Sequence, residues 1–239
     1  MSVRVVVVSD PARACAALMV GAAVGGRHIV LTGGSTPKAA YEQFAAQVTA
    51  IGMSLAETTF WLGDERCVAP DDDRFNYRMI KESMLDPLAG VTGPTMHRIQ
   101  AERGPEEGAA DYARTLAYAG PPAFDLLLLG VGSDGHCASL FPGQDTLARR
   151  DRLTVGVPDA GLEPFVPRVS MTFAALALAR HIVILAQGEG KADPLARAFG
   201  PGAVPDPATP SSLLPPLGVP ITVLVDPAAA AGLGKEQHP

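Results

Sequence analysis

Asp134 and His136 stand two residues apart in GVGSDGHCASLFPG (residues 130–143), directly after the run FDLLLL (Phe124–Leu129). A neutral imidazole, with its usual pKa of about 6.5, can act as a general base near neutral pH, and a carboxylate two positions away can orient it. The glycines around the pair let a ligand lie close to the backbone. The first six residues also fit G-x-G-x-x-G, the dinucleotide fingerprint, which needs a helix straight after the third glycine and an acid about twenty positions on. Asp159 lies near that distance. Pro142 and Gly143, however, limit any helix in HCASLFPG to about two turns, and Asp134 would place negative charge on the pyrophosphate site. A loop that presents His136 fits these residues better than a cofactor cradle.

Three further segments that follow strand-like runs carry polar residues. In TGGSTPK (residues 32–38), Gly33 and Gly34 permit a tight turn. Ser35 and Thr36 open a helix, with Thr36 as its cap and Pro37 at its first position. Free N–H groups and the helix dipole there suit a phosphate. The spacing is not that of a Walker A loop. In LGDERCVAPDDDRFNYR (residues 62–78), Arg66 at a strand end can hold a carboxylate or phosphate in two-point geometry, with Asp64 beside it. Glu65 and Asp71–Asp73 read as a solvated charged loop. The aspartate run lacks the spaced oxygens of a calcium loop and is expected to supply the cap of the helix begun by Asn76 and Tyr77. Arg168 opens a strand–helix unit and Lys191 follows QGEG; both could reach a common anion. His28, His97, His181 and His238 carry no such context and are expected to be structural. Cys137 beside His136 is not a catalytic pair, since adjacent side chains normally point apart.

The elements that must position these groups alternate. Strand-like VRVVVV (Val3–Val8), HIVLT, TTFWL, MHRI, FDLLLL, LTVGV, RVSMT, HIVILA and ITVLVD are interleaved with helix-like ARACAALMV, TPKAAYEQFAAQV, NYRMIKESML, PEEGAADYARTLAYA, FAALALA and KADPLARAF. Asp10 and Pro11 supply a cap and first residue for the first helix. The successive leucines of FDLLLL suit a central strand covered on both faces. The pattern predicts an α/β fold of three layers, α/β/α: a Rossmann-like, mostly parallel sheet with helices on both faces, and ligand beyond the carboxyl ends of the strands. No repeat or charged linker divides residues 1–239, which are expected to form a single domain. The Pro-rich stretch Pro201–Pro216 is expected to be a loop crossing its surface.

The 239 residues suffice for a sizeable core. A net charge of −6 argues against a nucleic-acid partner, although local arginines can override the global sign for a small anion. Three cysteines without C-x-x-C spacing speak against a disulfide scaffold or a zinc site, and for a reducing cytoplasm. The apolar run near the N-terminus is too short for a signal peptide or membrane span.

Taken together, LTGGSTPKAAYEQFA, FWLGDERCVAPDDDRFNYRMIKESML, FDLLLLGVGSDGHCASLFPG, RVSMTFAALALARHIVILAQGEGKA and ITVLVD resemble the 6-phosphogluconolactonases. These share a fold group with the glucosamine-6-phosphate deaminases and ribose-5-phosphate isomerases. DGHCASLFPG is of the lactonase type, whereas the deaminases look like DGH followed by an Asn-Glu-Pro stretch. Cys137 stands where the family often has threonine, and Phe75 where a serine commonly precedes Asn-Tyr. The resemblance implies hydrolysis of 6-phospho-D-glucono-1,5-lactone, a small phosphorylated sugar lactone, by a cytoplasmic monomer or small homo-oligomer. No metal or organic cofactor is implied. His136 would be the base, Asp134 would orient the imidazole or the substrate hydroxyls, and Arg66 would stabilise the oxyanion or hold the phosphate. Gly33, Gly34, Ser35, Thr36, Asp64, Arg168 and Lys191 would bind the substrate and its phosphate. A deaminase or sugar-phosphate isomerase would instead need a carboxylate base, for which Asp64 is the candidate; a non-catalytic sugar-phosphate sensor is the remaining alternative.

Overall fold

The computed structural model describes residues 3–24, 27–119 and 123–234. Seven parallel strands form the main sheet: β1 (Val3–Val7), β2 (His28–Leu31), β3 (Thr59–Leu62), β5 (Thr95–His97), β6 (Leu126–Leu129), β9 (Ile182–Ala186) and β10 (Ile221–Val225). Their spatial order is β1-β10-β9-β6-β2-β3-β5. Ile29 pairs with Phe60 on one side and Leu126 on the other, so β2 and β6 lie side by side in the interior. Each residue of β6 is buried, as its run of leucines predicts. From β2 the chain builds outward through β3 and β5, then returns to the other side of β2 with β6. Loops leaving β2 and β6 therefore diverge, which opens a crevice at the carboxyl ends of these two strands.

Side-chain alternation shows that helices cover both faces. Phe60 and Trp61 are consecutive in β3 and point to opposite sides. Phe60 meets Phe44 of α2 (Ser35–Ile51) edge-on at 6.0 Å, whereas Trp61 packs on Tyr112 of α4 (Pro105–Tyr118) at 6.4 Å. The two helices also tie off strand ends in the same way. The Tyr41 hydroxyl donates to Thr32 O (2.7 Å) and accepts from Thr32 N (2.9 Å); Tyr112 does the same at Leu62 N and O, both 3.0 Å. Backbone groups left by the ending ladder are thus satisfied away from water. The first helix, α1 (Pro11–Ala23), packs on α2 and starts as expected, with Asp10 accepting from Arg13 N at 2.9 Å.

Two of the anticipated strands leave the main sheet. β7 (Thr154–Val157) and β8 (Arg168–Met171) form a second, antiparallel sheet with β4 (Asp64–Arg66), in the order β4-β8-β7. The segment read as helical FAALALA is the short α5 (Phe173–Leu176), capped by Thr172. NYRMIKESML is α3 (Asn76–Ile80) continued by a π turn at Lys81–Leu85, and KADPLARAF is α6 (Ala192–Phe199). HCASLFPG forms turns and no helix. No helix among the described residues is long and apolar enough to cross a membrane.

The remaining histidines are held by the scaffold. His28 Nδ1 accepts from Trp61 Nε1 at 3.0 Å, His97 stacks on Trp61 at 4.3 Å, and His181 Nε2 meets Thr222 Oγ1 at 2.9 Å. His238 lies outside the described residues.

Candidate active site

A cavity of about 290 Å³ opens at the carboxyl ends of β2, β6 and β9, and β4 and β8 flank it. His136 lines it and is held by Asp134: Nδ1 lies 2.7 Å from Asp134 Oδ1, which also accepts His136 N–H at 3.0 Å. Because a carboxylate can only accept, this contact places the ring proton on Nδ1 and leaves the Nε2 lone pair as acceptor. Burial raises the Asp134 carboxyl, but the hydrogen bond and charge of His136 outweigh it and hold Asp134 below the usual carboxylate range. Gly132 makes the pair possible. A Cβ there would lie 2.1 Å from His136 Nδ1 and 2.6 Å from Asp134 Oδ1.

The cavity-facing arginines follow from strand alternation. Asp64 and Arg66 project from the same side of β4, and Glu65 between them projects the other way. In the antiparallel ladder Arg66 is directly opposite Arg168, and Asp64 opposite Ser170. Arg66 and Arg168 thus face each other on adjacent strands, a like-charge pair whose repulsion Asp64 offsets at Arg168. Arg168 is only 4% exposed. Its guanidinium donates to Pro164 O and Val166 O and lies 5.8 Å from the Phe141 ring centre. Burial lowers its pKa from the usual value. Arg66 donates through Nη1 to Arg74 O, while its buried Nε has no partner among the described residues. Asp64 is buried and accepts from Ser139 Oγ at 2.6 Å.

Glu65 corrects the expectation of a solvated loop: it is fully buried. Its carboxyl group accepts from Arg66 N and Asn76 N through Oε1 (2.8 and 2.7 Å), and from Tyr77 N through Oε2 (2.8 Å). It therefore caps α3, the role expected of Asp71–Asp73. Asp72 instead binds the Arg74 side chain and N–H. Burial pushes the Glu65 carboxyl up to about 8 against the three amide bonds. Phe75, at the helix start, is wholly buried in the core and does not line the cavity.

At the end of β2, α2 begins two residues earlier than expected. Gly34, with φ of 117°, is the capping residue, Ser35 is the first helical residue, and Thr36 makes no cap. Pro37 is thus third, so it removes an N–H that would otherwise be unpaired, leaving those of Ser35 and Thr36. Gly33, Gly34, Ser35 and Thr36 all line the cavity. Lys191 lines it from the loop after β9 and donates to Val131 O at 2.8 Å; burial lowers its pKa, opposed by Asp134.

Of the residues to which the resemblance gives a catalytic or binding role, all except Asp134 line this one cavity, and Asp134 lies behind His136. Its charged lining consists of Arg66, Arg168 and Lys191 against Asp64 and Glu163, so the local sign opposes the net charge of −6. Sequence reasoning missed Asn76 and Glu163 in this lining, and Ser139, which lies outside it and reaches Asp64. Asn76 donates to Asp64 O at 3.0 Å and fills the space over Gly33, where a Cβ would lie 2.1 Å from Asn76 Oδ1. Ser139 was visible only as part of a motif. Alternation in Asp64-Glu65-Arg66 was the one local signal for the burial of Glu65. Asp159, the acid of the dinucleotide reading, is exposed and away from the cavity, and Cys137 is buried, with its thiol pushed up to about 12.

Comparison with known proteins gives a consistent match. The family model described as glucosamine-6-phosphate isomerases/6-phosphogluconolactonase matches residues 8–218. A 6-phosphogluconolactonase of Nostoc sp. is 37% identical over 213 residues, covering 86% of this chain and 84% of the relative. One from Streptomyces coelicolor is 33% identical, covering 90% and 85%. The crystal structure of 6-phosphogluconolactonase from Leishmania guyanensis superposes with a TM-score of 0.84 at 26% identity, covering 98% of this chain and all of that one.

Proposed function

The chain belongs to the family of glucosamine-6-phosphate isomerases and 6-phosphogluconolactonases, and within it we propose that it hydrolyses 6-phospho-D-glucono-1,5-lactone to 6-phospho-D-gluconate, the second step of the oxidative pentose phosphate pathway. The observation that carries the proposal is the Asp134-oriented His136 in a cavity whose arginines face each other across β4 and β8. The family includes both lactonases and isomerases. The names of the relatives and the Ser139–Pro142 stretch favour the lactonase.

In this reading His136 Nε2 takes a proton from water as the water oxygen bonds to the lactone C1. The carbonyl electron pair moves onto its oxygen, and Arg66, which lines the cavity, neutralises that charge. When the oxyanion collapses, the bond from C1 to the ring oxygen breaks, and imidazolium His136 returns its proton to that oxygen. Asp134 keeps the ring in one tautomer and stabilises the imidazolium, and base catalysis of this kind is worth about 10²–10⁴-fold. Arg168, Lys191 and the Ser35 and Thr36 amides hold the phosphate. Their grip fixes the ring for attack, so it contributes to turnover as well as affinity. The whole of residues 1–239 acts as one catalytic domain.

The test is lactone hydrolysis with the lactone generated in place. His136→Ala loses most activity yet keeps binding 6-phosphogluconate, and Lys191→Ala chiefly weakens affinity. Unchanged turnover in His136→Ala would remove the base. Ammonia release from glucosamine 6-phosphate by a protein inert toward the lactone would establish the deaminase reading, with Asp64 as base.

A further inference from the structure

The loop that carries His136 is held by a segment to which the reaction assigns no role. The Pro-rich stretch after α6 does more than cross the surface: Thr209, Pro210, Ser211 and Ser212 are all buried. Ser211 N donates to Gly135 O at 2.9 Å, and Thr209 packs so tightly on Gly135 that a Cβ there would lie 2.7 Å from Thr209 Cγ2. Arg197 of α6 joins the two parts. Its Nη2 donates to Ser133 O (3.0 Å) and its Nη1 to Thr209 Oγ1 (2.8 Å), while Nε pairs with Asp193 at 3.0 Å. Inside the loop, Gly132 N donates to His136 O and Gly135 N to Gly132 O, both at 2.9 Å. The carbonyls of Ser133 and Gly135, on either side of Asp134, are thus fixed from outside by Arg197 and Ser211.

We infer that Arg197, through Thr209, is a positioning residue for the Asp134–His136 pair. The inference rests on His136 as the base. The guanidinium fork spans two acceptors on separate segments, which a single ammonium cannot reproduce. Released at Ser133, the loop carrying Asp134 has freedom to shift, and a displacement near 1 Å at a reacting group can cost about 10²-fold in rate. Arg197 does not itself line the cavity, so it acts on the reaction through the loop it holds.

The experiment compares Arg197→Lys and Thr209→Val with wild type by lactone hydrolysis, 6-phosphogluconate binding and the NMR signal of the His136 Nδ1 proton. Thr209→Val removes the hydroxyl and keeps the packing against Gly135. The expected result is a fall in kcat of about tenfold or more, with KM and product affinity within about twofold, and a broadened or shifted Nδ1 proton signal. Wild-type kcat and an unchanged proton signal in both folded variants, even with a lower Tm, would overturn the inference. His136→Ala is measured in parallel: full turnover there would overturn the base, whereas inactive His136→Ala beside fully active Arg197→Lys would overturn only the positioning role.

Discussion

Gly132→Ala tests the geometry of the catalytic pair with a single methyl group. Gly132 has φ outside the left-handed region, so alanine meets no backbone strain there. The obstacle is contact alone: the new Cβ would fall 2.1 Å from His136 Nδ1, 2.3 Å from Cε1 and 2.6 Å from Asp134 Oδ1. Ordinary contact begins at 3.4 Å, so either the ring or Gly132 must retreat by 1.3 Å, the difference between 3.4 and 2.1. A shift of that size at the reacting group corresponds to about 10²-fold in rate, or about 2.7 kcal/mol in the activation barrier. The methyl points at the pair, so the loss belongs in kcat, with KM and 6-phosphogluconate affinity close to wild type. Steady-state hydrolysis of lactone generated in place, with the spontaneous rate subtracted, measures it, and thermal unfolding confirms that the variant folds. Wild-type kcat in folded Gly132→Ala would refute the requirement for the observed His136–Asp134 arrangement.

Glu65→Gln addresses pH. Native Glu65 holds its proton up to about pH 8, whereas the unfolded side chain releases it near 4.5, so between these values the native state binds more protons. Stability contributed by this group is therefore complete below 4.5 and declines as pH rises toward 8; denaturant titrations should show a flatter decline for Glu65→Gln, and an identical slope would contradict the assignment. Tyr112→Phe leaves the Leu62 N–H and C=O without their buried partner, at a cost of about 1–3 kcal/mol. Calorimetry should show Tm lower by about 2–4 °C for each kcal/mol, and a shift under about 1 °C would mean that other groups satisfy that strand end.

Much of the architecture is a local property of the sequence. Short β-branched runs alternating with helix-length segments require a largely parallel sheet, and successive leucines mark β6 as its centre. Asp134 two residues from His136 forms its contact within one loop, so that pairing is written in the motif. The cap at Asp10 and the open helix start after Gly34 are equally short-range. Placement of the remaining groups depends on partners distant in the chain. Arg66 faces Arg168 only because β4 pairs antiparallel with β8, and no periodicity in either segment specifies that register. Glu65 looks like part of a solvated charged run until Asn76 and Tyr77 return their N–H groups to it. Arg197 reads as an ordinary helix-surface charge, although its guanidinium reaches a carbonyl sixty-four residues earlier. Helix, turn and strand patterns arise from neighbouring side chains and backbone, so the sequence by itself determines them. Charge burial and cross-strand pairing arise from which surfaces the packed sheet brings together, and only the tertiary structure decides them.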